Sequence, residues 1–186
     1  MIPRLAFEFP TDLAMGEIAL RKFRVGDVPW VALACDRPEM ARFLPVLPSP
    51  YSEKDAAGFI AYAEQAWADG VSAPFAIDSA QGEPLGAIEV HPAAHDPGMA
   101  GVGYWLRPEG RGRGAATDAL RLVSRWAFEG LGVERLSLIT DPENTASQRV
   151  AERAGFRREG ILRSWHPTRS GRRDAVMFSL LPTDLD

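Results

Sequence analysis

An α/β or α+β chain with a largely antiparallel sheet is the fold class this sequence predicts, on three observations. Strand-like and helix-like hydrophobic periods alternate along the chain, and residues 101–154 run strand, glycine-rich loop, helix, strand, helix. Residues 156–181 then fall into two strand-like runs. With 186 residues, 46% of them hydrophobic and 25% charged, the chain is read as one domain over 1–186, because its only linker-like stretch, 46–50, is too short to separate two.

The elements follow in order. A strand is expected at 17–21; Gly26 and Asp27 then precede a helical stretch to Cys35, and 38–43 reads as a second short helix. Ser52 with Asp55 three residues later has the form of a capping box, and Ala56, Phe59, Ile60, Ala63 and Trp67 repeat at helical spacing until Gly70. Strands at 75–78 and 85–90 flank a turn at 81–84, giving a hairpin. After a loop at 91–98 a third strand occupies 101–106 and ends at Pro108. Gly110, Arg111, Gly112, Arg113 and Gly114 then open a helix with the stripe Ala116, Leu120, Val123 and Ala127, stopped at Gly130 and Gly132. A buried strand at 135–140 leads to Asp141, Pro142, Glu143 and Asn144, a turn capping a short helix to Ala154 that Gly155 closes. The final strands, 156–165 and 173–181, are joined by a loop containing Ser170 and Gly171.

Composition narrows the function. The single cysteine, Cys35, forms no internal disulfide, and no Cys/His cluster argues for structural zinc. Glu8 and Asp12 interrupt any early apolar stretch, and the longest apolar run, 28–35, is far short of the ~20 residues that span a bilayer, so a cytoplasmic chain without a membrane segment is expected. Net charge is −4, which disfavours a general nucleic-acid binder, but it is unevenly spread. Residues 1–100 carry 7 Lys+Arg against 14 Asp+Glu, and residues 101–186 carry 14 against 11. An arginine-rich RNA module in the second half is weakened by the acidic remainder and by the lack of interleaved aromatic platforms.

The glycine loop carries the chemistry. Gly112 and Gly114 let the chain approach a ligand without Cβ interference, while unpaired first-turn amides and the helix dipole favour a diphosphate. A dinucleotide fingerprint needs a third glycine at 115 or 117, where Ala115 and Thr117 stand. The segment resembles instead motif A of the GNAT acetyltransferases, Arg/Gln-x-x-Gly-x-Gly/Ala, through Arg111, Gly114 and Ala116; a frame on Arg107, Gly110 and Gly112 also fits, but in the first Ala116 begins the apolar stripe directly. Gly103, Tyr104, Trp105 and Leu106 before the loop, Asn144 and Ser147 after the next strand, and Ala154, Gly155 and Phe156 opening the last hairpin are similar to the RimJ/RimL branch, which acetylates ribosomal-protein N-termini.

The resemblance implies a twisted, largely antiparallel sheet in which the strand of Tyr104, Trp105 and Leu106 splays from the strand at 136–140. Acetyl-CoA would lie in that gap, its pantetheine arm gripped as a false strand and its diphosphate held by Arg111, Gly112, Arg113, Gly114, Ala115 and Ala116. Asn144 has an ordinary role as a helix N-cap, worth about 1 kcal/mol, and by resemblance also contacts the arm. The family suggests Ser147 as the acid that protonates the departing thiolate; many relatives use tyrosine there, and the sequence shows no obvious substitute for it. Glu89, in the strand at 85–90, is the candidate base for the amine, with a solvent-facing glutamate and a base-free mechanism left open.

His91 and His95 beside Asp96 do not make a metal pair, since Pro92 spoils helical spacing, and no metal is expected. Cys35 reads as a small buried residue, and Trp30, Tyr51 and Trp165 either line the acceptor pocket or simply pack. The expected activity is acetyl transfer from acetyl-CoA to a primary amine in a ternary complex. The alternatives are a non-catalytic acyl-CoA-binding module and a transferase using another acyl-CoA such as succinyl-CoA, toward which Arg163, Arg169, Arg172 and Arg173 point unless they merely solvate a loop. The acidic first half fits a cationic acceptor such as a protein N-terminus, polyamine or aminoglycoside, and equally a solvated surface; relatives of this type are often homodimers.

Overall fold

The structure is a computed structural model that describes residues 10, 13–44, 47–93, 96–168 and 171–185. β1 (Ala14–Met15) and β2 (Ile18–Arg21) lead through a 3-10 turn at Val25–Asp27 into α1 (Val28–Cys35), α2 (Pro38–Phe43) and α3 (Glu53–Asp69). β3 (Ala73–Ser79), β4 (Pro84–Ala93) and β5 (Asp96–Leu106) follow, then α4 (Ala115–Leu131), β6 (Arg135–Thr140), α5 (Thr145–Arg153), β7 (Arg157–Thr168) and β8 (Gly171–Leu180). The Ser52 capping box is formed in full, with Ser52 accepting from the Asp55 amide and Asp55 accepting from the Ser52 amide.

The eight strands make one sheet in the order β1-β2-β3-β4-β5-β6-β8-β7. Every neighbouring pair is antiparallel except β5 with β6. That parallel ladder is short: Met99 pairs with Arg135, Ala100 with Leu136 and Gly101 with Ser137, and there it stops. Beyond it β5 stays paired with β4 as far as Leu106 opposite Gly86, and β6 stays with β8 as far as Thr140 opposite Val176. Each strand is held on its outer side only, so the expected splay is present and two facing edges are left with unspent backbone groups.

Alternate residues of the sheet, including Phe75, Ile77, Ile88, Val90, Leu136, Leu138, Phe178 and Leu180, form the main core with Leu120, Val123 and Ala127 of α4 and Ala151 of α5. A second cluster of Val31, Ala32, Cys35, Met40, Tyr51 and Ala56 joins α1, α2 and α3, with Trp30, Phe59 and Trp105 packed against it. β3 lies between the two layers and is buried along its whole length.

The strands run longer than their residue pattern suggested. Most of the expected loop at 91–98 is ladder, with His91 opposite Gly101 and Pro92 opposite Ala100, and the His91 ring fills the space a Gly101 side chain would need. Prolines and glycines hid this pairing, because it rests on a cross-strand fit and not on local propensity. β7 and β8 likewise extend to Thr168 and from Gly171; His95, Arg169 and Ser170 lie outside the described residues. No helix among the described residues is long and apolar enough to cross a membrane.

Candidate active site

The gap between β5 and β6 opens into a cavity of about 490 Å³, bounded by the glycine loop, the first turns of α4 and α5, α2, and the ends of β7 and β8. Val102, Gly103, Tyr104, Trp105 and Leu106 line it along the free edge of β5, and Leu138, Ile139 and Thr140 along that of β6.

At one end stands the start of α4. Gly112 and Gly114 have φ of 74° and 83°, a region open to glycine at little cost, and a Cβ at Gly112 would project into open space. Gly114 is the N-cap, no side chain caps this end, and the first intrahelical bond runs from the Asp118 amide to the Gly114 carbonyl. The amides of Ala115, Ala116 and Thr117 precede that bond, and all three residues line the cavity. These are features that fit a diphosphate: a Cβ-free approach, unspent donors and a 17-residue helix aimed N-terminus first. They favour the frame on Gly114 and Ala116, since Gly110 is packed against the Leu85 carbonyl. Arg111 lines the cavity but is engaged, donating to the Leu106 carbonyl at 3.1 and 3.3 Å and pairing with Glu39 at 3.5 Å. Arg113 is exposed and stands outside the lining.

In the middle, Asn144 caps α5 by accepting the Ser147 amide at 3.1 Å, which leaves its NH₂ group for the cavity it lines. The Ser147 hydroxyl lies 2.9 Å from that of Tyr104, across the gap on β5. The sequence had suggested no tyrosine at this place. Its sequence pattern gives Tyr104 only as a strand residue whose backbone grips a ligand, and nothing local signals that its side chain reaches α5. Burial pushes its hydroxyl up to about 12, a rise partly offset by the bond to Ser147. Glu89 pairs with Gly103 across the β4–β5 ladder, is half-buried and stands outside the lining. A Cβ at Gly103 would meet nothing within 4 Å, so there is open space beside it.

At the other end an ionic network crosses the mouth. Arg173 of β8 pairs with Asp141 at 3.1 Å and Glu143 at 2.7 Å, and Glu143 also holds Arg42 of α2 at 2.8 Å. These arginines, with mutual hydrogen bonds, keep the Glu143 carboxyl below the usual range. His166 and Thr168 of β7 line this end, and sequence reading missed both. Their placement depends on a bulge: Leu162 faces Ala175 and His166 faces Arg173, so three residues oppose Asp174 alone. Ser164 within it has φ of 51° and is pinned by its amide on Asp174 at 2.8 Å, while Arg172 donates to the Ser164 and Trp165 carbonyls.

Trp30, Tyr51 and Trp165 do not line the cavity; Tyr51 is buried, Trp165 half-exposed, and Trp30 buttresses Trp105 with ring centroids 5.8 Å apart. Cys35 is buried, and burial pushes its thiol up to about 12, so it stays protonated near neutrality. Among the described residues no group of three or more His, Cys, Asp and Glu side chains is placed to hold a metal ion.

Comparison with known proteins agrees with this geometry. Residues 17–157 match the acetyltransferase (GNAT) domain family. An uncharacterized N-acetyltransferase, p20, of Bacillus licheniformis is 25% identical over 166 residues, 88% of this chain and 92% of that one. Three further relatives from Bacillus subtilis match over 34%, 55% and 56% of their own length. The fold is also that of Mycobacterium smegmatis RimJ, solved with a CoA-disulfide, at TM-score 0.81, 23% identity and coverage of 90% of this chain and 83% of that one. It is likewise that of the ribosomal L7/L12 acetyltransferase RimL, solved with coenzyme A, at TM-score 0.80 and 19% identity, covering 94% of this chain and 98% of that one. With a splayed parallel pair, an amide-rich helix start in the gap and a family match over most of its length, the chain belongs to the GNAT acetyltransferases.

Proposed function

We propose that the protein transfers an acetyl group from acetyl-CoA to a primary amine, a protein N-terminus or a small-molecule amine, by direct attack in a ternary complex in the cytosol, as a transferase of the RimJ/RimL type. The observation that carries this reading is one cavity joining unspent helix amides, a free strand edge and a half-buried pair of hydroxyls. The donor supplies an activated acyl group as a thioester. The amides at 115–117 bind its diphosphate, the free edge of β5 hydrogen-bonds its arm as an added strand, and the Asn144 NH₂ group supports that arm. A β5 amide polarises the acyl carbonyl. Ser147 gives its proton to the departing sulfur, and Glu89 takes the amine proton through water in the open space beside Gly103. The acidic first hundred residues, 7 Lys+Arg against 14 Asp+Glu, favour a cationic amine, while Asp141 and Glu143 at the acceptor end are paired with Arg173 and Arg42. A non-catalytic CoA-binding module was motivated by the lack of a tyrosine near Ser147, and Tyr104 weakens that motive.

The test is calorimetric titration with acetyl-CoA, CoA and ATP, followed by an amine panel of peptides with free N-termini, polyamines and aminoglycosides read by thiol release. Saturable binding of acetyl-CoA and CoA but not ATP, then amine-dependent thiol release, is expected. Absence of CoA binding would remove the donor assignment, and binding without turnover on any amine would favour the non-catalytic module.

A further inference from the structure

Tyr104 and Ser147 come from different elements on opposite sides of the gap, yet their hydroxyls meet. Oη of Tyr104 lies 2.9 Å from Oγ of Ser147 and 3.3 Å from the Ser147 carbonyl oxygen, while Asn144 holds the Ser147 amide at 3.1 Å. The Tyr104 ring packs against the main core, so its hydroxyl is delivered from a rigid strand. Ser147 is therefore fixed twice, through its backbone by the cap and through its side chain by the tyrosine, and both side chains face the donor cavity.

An isolated serine hydroxyl is a much weaker acid than a thiol, whose pKa is ~8.5, so it does not readily protonate a thiolate and keep the charge. A tyrosine hydroxyl, at ~10 in water, lies closer, and Tyr104, although burial pushes it up to about 12, is placed to share its proton with the Ser147 oxygen at 2.9 Å. We propose that Tyr104 and Ser147 form a two-hydroxyl relay, in which Tyr104 holds the Ser147 oxygen toward the donor sulfur and passes it a proton as Ser147 protonates the leaving thiolate. The relay rests on the donor reading above. The C–S bond breaks, sulfur takes the Ser147 proton, and the Ser147 oxygen takes the Tyr104 proton. The phenolate regains a proton from solvent, which has received the one lost by the amine nitrogen as the N–C bond forms. Tyr104 acts through Ser147 and is a positioning residue. Its high pKa keeps it protonated, and thus able to donate, throughout the neutral range.

The test uses CoA itself, bound to the wild type, Y104F, S147A and the double variant, and follows ionisation of its thiol by the NMR shift of the methylene next to sulfur as pH rises. Y104F keeps the packed ring and removes only the hydroxyl. Both single variants should raise the pKa of the bound thiol above the wild-type value, and the double variant should raise it no further than S147A. In turnover, Y104F should lower kcat about tenfold with KM for acetyl-CoA within twofold. A bound thiol and kcat unchanged in Y104F, or effects of the two substitutions that simply add, would overturn the relay. A loss of acetyl-CoA affinity as large as the loss of kcat would do the same, because it would mean a structural wall. If CoA binds none of the four proteins, the donor reading itself fails and the relay with it; if it binds and Y104F behaves as wild type, the relay alone fails.

Discussion

Gly112 and Gly114 are where single residues decide most. Both sit at positive φ, so even alanine is strained there by about 1 kcal/mol, but the functional cost of a larger residue exceeds the conformational one. Gly112→Glu and Gly114→Glu place bulk and negative charge where the helix amides await an anion, and each should abolish acetyl-CoA binding in a calorimetric titration while the far-ultraviolet circular dichroism stays that of the wild type. Ser147→Ala acts differently: it leaves the amides and the β5 edge untouched, so acetyl-CoA affinity should hold while kcat falls about 10- to 100-fold. Unchanged turnover in that variant would remove the acid role. Asn144 shows how one residue serves two purposes, its carbonyl oxygen spent on the cap and its NH₂ group free for the cavity.

The bulge in β7 matters because strand side chains alternate with a period of two. The two extra residues opposite Asp174 keep that alternation in phase but move the register, so that His166, and not Ser164, stands opposite Arg173, and with it Thr168 reaches the acceptor end. Ser164 donates its amide to Asp174 and accepts from Arg172, which also holds the Trp165 carbonyl; a strained residue pinned in this way marks a geometry that the surrounding structure enforces. His166→Ala is therefore expected to raise KM for the amine severalfold and to leave the affinity for acetyl-CoA, bound at the far end, as it was; steady-state kinetics with each substrate varied in turn checks this. Equal changes for both substrates would count against a role confined to the acceptor. Of the four arginines weighed for a carboxylated acyl group, two are committed, Arg173 to Asp141 and Glu143 and Arg172 to backbone carbonyls.

Across the molecule, the helical layer that carries Trp30 is fastened to the sheet by a buried network. Arg21 of β2 forks to Asp78 of β3 and to Asp27, which is 2% exposed and also accepts from Trp30 Nε1 at 2.8 Å. Burial alone would raise the Asp27 carboxyl, but hydrogen bonds from Arg21, Trp30 and the Arg24 amide carry it below the usual carboxylate range. A carboxyl with a folded pKa below its unfolded value of ~3.9 contributes stability that is present above about pH 4 and is lost as pH falls through the folded value. Asp27→Asn should thus cost about 3 kcal/mol at pH 7, by leaving Arg21 short of a buried partner, and progressively less as pH falls below about 4; urea denaturation across a pH series from 7 downward measures the decline. Because this network and the continuous sheet tie both layers together, the chain over 1–186 is expected to unfold in one transition, with calorimetric and van't Hoff enthalpies equal. Two resolved transitions would mean that the α1–α3 layer melts independently.

Residue order alone was enough for the succession of elements, the α4 stripe, the caps at Ser52 and Asn144, the glycine loop and the family it resembles, because each depends on neighbours within about one helical turn or one strand pair. The splay was legible only through that resemblance. What folding alone decided lies between elements. The β5–β6 ladder stops after Gly101 while β5 stays with β4 and β6 with β8, and Tyr104 meets Ser147 because β5 and α5 face each other across the resulting gap. His166 enters the site because a bulge shifts β7 against β8, while Trp30 and Tyr51 stay out of it because they pack in the α1–α3 layer, and Trp165 because it faces solvent on the edge strand. A contact 43 residues apart in sequence has no local signal; it exists only once non-local strand pairing has set the distance.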